Sequence, residues 1–281
     1  MKSINSLSGG KTSSYMAVHY PADYNLFSLV CIDDIKCKPK DKSVIDYVNK
    51  KFDSVGLLNI YGEFIATAED DITLKTMIDL EQKLGSEIIW VRSNSFEHWI
   101  DKKKMLPNMT MRYCTTEMKI IPIAEYVIKN MNYPVIMNQG IRYDEMERMK
   151  IGDAKKYKNK IIIGKNHNST NKWKEYYWAE AAYPLVENKV LHYRIQKYWE
   201  NNEITFPKDS NCVGCFWKDV QQLRKNWDDN TDKMQWFSNQ EIRRKHFFKP
   251  GINYSQIKNI EIQSEFDFGT GSGCQAGFCT D

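Results

Sequence analysis

With 281 residues, 42% of them hydrophobic and 13% aromatic, the chain can bury a sizeable core and is neither fibrous nor disordered. Its formal charge of +4 permits a nucleic-acid partner without arguing strongly for one. No apolar run approaches a membrane span, and the N-terminus lacks the apolar core of a signal peptide. We therefore expect a cytoplasmic protein with no membrane partner, whose seven cysteines are ligands or nucleophiles rather than disulfides.

In chain order, Lys2–Leu7 predicts a brief first strand and Ser14–His19 the start of a helix. Between them lies Ser8-Gly9-Gly10-Lys11-Thr12-Ser13. A strand, a Gly-Gly turn with hydroxyls and a helix N-terminus make an anion cradle, because successive N–H groups and the helix dipole face the same point. It is not a Walker A loop, whose first glycine and four-residue spacer are missing. The plainer alternative is a Ser/Gly turn that caps a helix. The run Leu26–Ile32 predicts one buried parallel strand ending in Asp33 and Asp34, beside any ligand held at the sheet's carboxyl edge. Val44, Val48, Phe52 and Val55 have helical spacing, and Leu57–Tyr61 reads as a short strand. Thr73–Leu84 is a helix closed by Gly85, Ile88–Val91 a strand, and Ser95 the N-cap of a further helix. This alternation predicts an α/β fold, with a mainly parallel sheet covered by helices on both faces.

Next come Arg112, Cys114 and Lys119, with Pro122 early in a helix. The two cations suit sulfate or phosphate oxygens; alternatively they are solvated and Cys114 is a small core residue. Val135–Arg142 is a strand running into a turn at Gly140, after which Arg142, Glu145 and Arg148 share a helical face. Residues 155–174 are lysine-rich and predict an exposed hairpin or mobile loop near the site, with a nucleic-acid contact or plain solvation as its role. A helix is expected over His192–Asn201. Cys212-Val213-Gly214-Cys215 then forms a knuckle that can place two thiolates on one metal or cluster. Asp219–Trp227 and Thr231–Lys245 are helical, and Trp217, Trp227, Trp236 and Phe237 either pack a small C-terminal core or offer a stacking surface for bases. The glycine-rich tail carries Cys274 and Cys279, which could be ligands, mobile nucleophiles or incidental thiols. Cys31 reads as core, and Cys37 has no motif partner.

Four of these elements, in order over residues 3 to 220, resemble the phosphoadenylylsulfate (PAPS) reductase-like family of PP-loop, or adenine nucleotide alpha hydrolase, proteins. They are the Ser-Gly-Gly loop, Arg112-x-Cys114-Thr115-x-x-x-Lys119-x-x-Pro122, Gly140-x-Arg142-x-x-Glu145-x-x-Arg148 and the cysteine knuckle. Thr12 stands where many members carry Asp, Met146 replaces a Ser, and Tyr113 and Thr115 occupy the positions of an adjacent cysteine. The resemblance implies a doubly wound sheet in a PP-loop nucleotide-binding α/β domain (1–200), followed by a small C-terminal helical, cysteine-bearing region (201–281). It implies an adenine nucleotide, ATP with Mg²⁺ or adenylylsulfate, on Ser8, Gly9, Gly10, Lys11, Thr12, Ser13, Asp33, Arg112, Lys119, Gly140, Arg142 and Arg148. It implies a 4Fe–4S iron–sulfur cluster, or zinc, on Cys114, Cys212 and Cys215, with Cys274 a candidate fourth ligand. Cys274 and Cys279 are the candidate catalytic thiols. The activity implied is sulfur chemistry, as an oxidoreductase or as an ATP-dependent sulfurtransferase that adenylates and thiolates a nucleic-acid acceptor. A thiol reductant or sulfur donor would be the partner, and a homodimer is compatible. The non-enzymatic alternative is a zinc-stabilised nucleotide or nucleic-acid binding module.

Overall fold

The computed structural model describes residues 1–261. Strand β1 (Ser3–Leu7) leads into helix α1 (Lys11–His19), followed by β2 (Tyr24–Ser28), β3 (Cys31–Ile32), α2 (Lys42–Ser54), α3 (Leu58–Tyr61), β4 (Ala66–Thr67), α4 (Asp71–Leu84), β5 (Ile88–Val91) and α5 (Phe96–Lys103). Then come α6 (Tyr113–Thr115), which widens into a π-turn over Thr116–Ile120 and continues as α7 (Ile121–Asn130), and β6 (Val135–Asn138). Strands β7 (Lys156–Lys165) and β8 (Asn171–Ala182) and helices α8 (Pro184–Glu187), α9 (His192–Glu200), α10 (Val220–Asp229), α11 (Thr231–Arg244) and α12 (Tyr254–Ile257) complete the described chain.

The main sheet has six strands in the order β5-β2-β1-β6-β8-β7, parallel except for the antiparallel β7–β8 hairpin. This is the expected α/β architecture, and helices cover both faces. On one face Leu7, Phe27, Ile88 and Trp90 meet residues of α1, α2, α4 and α9. On the other, Ile4, Leu26, Ile89, Val91, Val135 and Met137 meet Ile123, Ala124 and Val127 of α7. Alternate side chains of each strand serve the two faces, as a doubly covered sheet requires. A buried amide ladder crosses the three central strands. Asn5 Nδ2 donates to Asn25 Oδ1 at 3.0 Å, and Asn138 Nδ2 donates to Asn5 Oδ1 at 3.0 Å. A one-residue slip of any of these strands would orphan buried amides, so the ladder pins the register.

The chain goes from β1 outward to β2 and β5, then returns to add β6 on the other side. The strand order therefore reverses direction between β1 and β6. In open α/β sheets the crevice beyond the carboxyl ends at such a switch is where ligands bind.

Two expectations fail locally. Leu26–Ile32 is not one strand: after Leu29 bonds Val91 O at 2.9 Å, Val30 O accepts from Ala68 N at 3.0 Å and from Thr67 Oγ1 at 2.9 Å. These bonds draw the chain away from the main sheet into a small β3–β4 pair. Leu57–Tyr61 forms α3, because Tyr61 N and Gly62 N bond back to Leu57 O and Leu58 O at 2.9 and 2.8 Å. The other predicted elements form close to their expected bounds, including α4 with Gly85 as a left-handed C-cap and α5 with Ser95 as its N-cap.

Helices α10, α11 and α12 build a third core from Leu223, Trp227, Met234, Trp236, Phe237 and Tyr254. It is shared with Phe96, Trp99 and Ile100 of α5 and with Ile32 and Ala66 of the small sheet. Trp227, Trp236 and Phe237 are buried there, which decides for packing over stacking surface at those three positions.

Candidate functional site: a loop cleft at the strand switch

The loop after β1 is shaped by its neighbours. Gly9 has φ +75°, and a Cβ there would lie 2.4 Å from Thr73 Cγ2 of α4, so glycine is required twice over. Ser13 Oγ ties the loop together, accepting from Ser8 N at 3.1 Å, meeting Ser8 Oγ at 3.1 Å and donating to Gly10 O at 3.2 Å. Gly10 is the N-cap of α1, and no side chain caps that helix. The first N–H groups of α1 are left to face the cleft, where an anion suits both their hydrogen-bonding capacity and the helix dipole.

The loop after β6 closes onto the first one. A Cβ on Gly140 would lie 3.2 Å from both N and Cα of Ser13, so the two backbones are in contact. Arg142 Nη1 donates to Thr12 Oγ1 at 3.4 Å, and Arg142 Nη2 pairs with Glu145 at 2.9 Å. Glu145 also pairs with Arg148 at 3.0 Å. Glu145 thus holds two guanidinium groups at the mouth of the loop, and Asp144 holds Arg142 as well, at 3.2 Å, so both groups are fixed in place.

These two loops and the segment 206–210 enclose a cleft of about 390 Å³. Ser8, Gly10, Lys11, Thr12, Ser13, Gly140, Arg142 and Arg148 all line it. Eight of the sequence-predicted residues are brought together, and Gly9 underlies them. His192, Lys208 and Ser210 line the cleft as well and were not anticipated. His192 opens α9, carries no motif signal, and has both ring nitrogens buried without a hydrogen-bond partner. Burial first, and the Arg142 charge second, lower its pKa, so the ring is neutral near pH 7.

Three predicted residues lie elsewhere. Asp33 is exposed, and its N–H donates to Glu97 Oε1 at 3.1 Å; the bend after Leu29 carries it away from the cleft. Arg112 lies over the Trp217 ring, 5.8 Å from its centroid. Lys119 bonds Glu69 Oε1 at 3.0 Å, where Glu69 is fully buried. Lys119 lines a narrower slot of about 40 Å³ that also touches Ser8 and Thr115. Arg112 and Lys119 therefore belong to the cysteine side of the molecule, beyond the loop cleft.

The knuckle sits close behind the cleft wall. Ser210, whose side chain a Cβ on Gly10 would meet at 2.8 Å, is two residues from Cys212. Cys215 N bonds Cys212 O at 3.0 Å, Val213 N bonds Ala68 O at 2.8 Å and Tyr254 OH donates to Gly214 O at 2.9 Å. A Cβ on Gly214 would lie 2.4 Å from the Phe237 ring, so the turn is locked against α11. Burial, and next the Cys215 charge, push the Cys114 thiol up to about 11. Burial also pushes up Cys212; the Lys119 charge opposes that rise, and the Glu69, Cys215 and Cys114 charges add to it. The three thiols thus feel one another and share a neighbourhood. The donor set is apt in kind for a thiolate-bound group. Among the described residues, no group of three or more His, Cys, Asp or Glu side chains is arranged to hold a metal ion. Cys274 and Cys279 lie outside the described residues.

No family model, no curated protein and no solved structure matches the chain. Among the described residues, no helix is long and apolar enough to cross a membrane.

Proposed function

We propose that the chain is a PP-loop enzyme of the PAPS reductase-like type, which binds the phosphates of ATP in the cleft between the loops after β1 and β6. One observation carries this reading: the contact of Gly140 with the Ser13 backbone, which brings the open N-terminus of α1 and the paired Arg142 and Arg148 to one point. Backbone donors and fixed cations converging at a strand switch are what a polyphosphate needs.

In the chemistry proposed, an acceptor oxygen attacks the α-phosphorus, the bond to the β-phosphate breaks, and pyrophosphate leaves. The N–H groups at the start of α1 would carry the charge that builds on the phosphate oxygens, and Arg142 and Arg148 that on the leaving group. Mg²⁺ would arrive with ATP as part of the substrate. His192, neutral and unpartnered, is placed to accept or donate a proton at the cleft wall. A sulfur nucleophile would then displace AMP from the activated acceptor.

An iron–sulfur cluster or zinc would sit on Cys114, Cys212 and Cys215, and would supply sulfur-handling or structural chemistry there. Reduction of an adenylylated sulfate by the remaining described thiols is disfavoured. Burial holds Cys31 and Cys37 near 12, so neither is a thiolate at neutral pH.

Calorimetry with ATP and with adenylylsulfate tests the reading. ATP should bind the wild-type chain, and Ser13→Ala should weaken binding by about fivefold, the cost of roughly one hydrogen bond in the loop. If neither nucleotide binds the correctly folded wild type, the reading is wrong. Gly10→Val is the less informative variant, because its side chain would also collide with Ser210.

A further inference from the structure

The β7–β8 hairpin stands apart by charge. Residues 155–174 contain seven lysines and neither aspartate nor glutamate. The whole chain is only +4, so everything outside residues 155–174 is net acidic, with Glu175 and Glu180 following on β8 itself. The hairpin also stands apart by position. Strand β8 pairs with β6 only over Ala179–Ala182; Trp178 is still buried in the core and Tyr176 still meets Tyr133, but residues 171–175 are exposed beyond the sheet. At about 3.3 Å per residue, those five residues reach roughly 17 Å beyond it. Because β8 runs parallel to β6, the tip lies at the end of the sheet opposite the loop cleft, not near the site as the sequence led us to expect.

The side chains on this arm are poorly explained by solvation alone. Lys158, Lys160, Lys172 and Lys174 are exposed. Between them, Ile162 and Trp173 face each other across the strands and are 47% and 55% exposed. An exposed Trp-Ile pair gains nothing from water, but it offers a flat apolar platform with Lys160, across from Glu175, on its own face and Lys172 and Lys174 on the other face of the ribbon. A second copy of the chain is a poor occupant, since it would bring two lysine-rich arms together. Lysines on an outer strand such as β7 are also a common guard against edge pairing.

We propose that this hairpin is a docking arm for single-stranded nucleic acid, with the lysines on phosphates and Trp173 stacked on an unpaired base. Phosphates match the lysine charge, and every base has a π-face for the indole. The arm is an anchor set apart from the loop cleft, and the inference does not rest on the nucleotide reading.

The test is fluorescence anisotropy with a labelled, mixed-sequence single-stranded 20-mer, read from about 50 to 200 mM salt with no nucleotide present. The wild type should bind, with affinity falling steeply as salt rises. Replacing Lys158, Lys160, Lys172 and Lys174 together with Ala should flatten the log–log salt slope by about 3, at about 0.7 per lost phosphate contact. Trp173→Ala should weaken binding roughly tenfold and leave the slope unchanged. Acetylation footprinting of the wild-type chain keeps the proposal testable if the fourfold variant misfolds: the bound strand should protect the hairpin lysines. Unchanged affinity and slope in a folded fourfold variant would overturn the proposal. So would absence of footprint protection, or binding to vesicles of anionic phospholipid with no binding to the oligonucleotide.

Discussion

The molecule has two clefts of the same size, about 390 Å³ each, and they are built on different principles. One is bounded by Lys36–Asp41 and by the turn between α10 and α11. It is lined by five lysines and five aspartates, several of them already paired, such as Lys75 with Asp41 at 3.3 Å and Lys233 with Asp71 at 2.6 Å. The other, at the strand switch, is lined by Lys11, Arg142, Arg148 and Lys208 against Glu145 and Asp209, with the uncapped start of α1 facing it. Volume does not separate them. The difference is one of balance: the first sets five lysines against five aspartates, whereas the second sets four cations against two carboxylates in its lining, with Asp144 a further partner of Arg142, and has backbone donors at one point. An anionic ligand gains little where the lining carries as many carboxylates as cations.

The largest expected effect falls on the wall of the charge-balanced cleft. Helices α10 and α11 wall it, and Gly214 supports them by lying against the Phe237 ring. Gly214→Val should cost about 3 kcal/mol of stability in urea unfolding through overpacking. A loss below about 1 kcal/mol would mean that the knuckle turn does not brace these helices.

The next effect sharpens the comparison directly. Arg142→Ala removes a guanidinium held by Thr12 and Glu145, and should lower ATP affinity about thirtyfold, equivalent to about 2 kcal/mol for a charge-assisted contact. Lys75→Ala, in the paired cleft, should leave ATP affinity unchanged. Equal losses in the two variants would erase the distinction between the clefts.

The smallest effect is one of pH. Burial raises the Glu241 carboxyl to about 7, although it accepts from Tyr254 N and Phe248 N. The fold favours its neutral form. Its stabilising contribution is therefore complete below the ordinary carboxylate value of 4.5 and is lost as pH rises through about 7. The melting temperature should fall by a few degrees from pH 5 to pH 8, and Glu241→Gln should flatten that fall. A melting temperature that rises over this range would show that Glu241 is ionised in the fold.

The parts of this architecture that were legible in the sequence are those set by local backbone chemistry. The Gly-Gly loop, the Gly85 cap, the Ser95 cap and the alternation of strands and helices each depend on neighbours in the chain. Arg142 and Arg148 were legible from their spacing about Glu145, although Tyr143–Arg148 forms a 3₁₀ helix kinked at Glu145 and not a regular helical turn. The break inside Leu26–Ile32 was not, since no turn residue marks it and its cause is hydrogen bonding to Thr67 and Ala68. Asp33 was misplaced for the same reason. Arg112 and Lys119 read as anion ligands, yet Trp217 and Glu69, both distant in sequence, hold them. The Asn5–Asn25–Asn138 ladder and His192 depend on how distant segments align, which no short motif encodes.

The central claim is that nucleotide phosphates lie at the strand switch. A crystal structure with a non-hydrolysable ATP analogue tests it most directly. The account predicts phosphate oxygens within about 3 Å of the N–H groups of residues 11–13 and of the Arg142 guanidinium. An analogue seated instead among Lys36, Lys75 and Lys233, with the loop cleft empty, would contradict it.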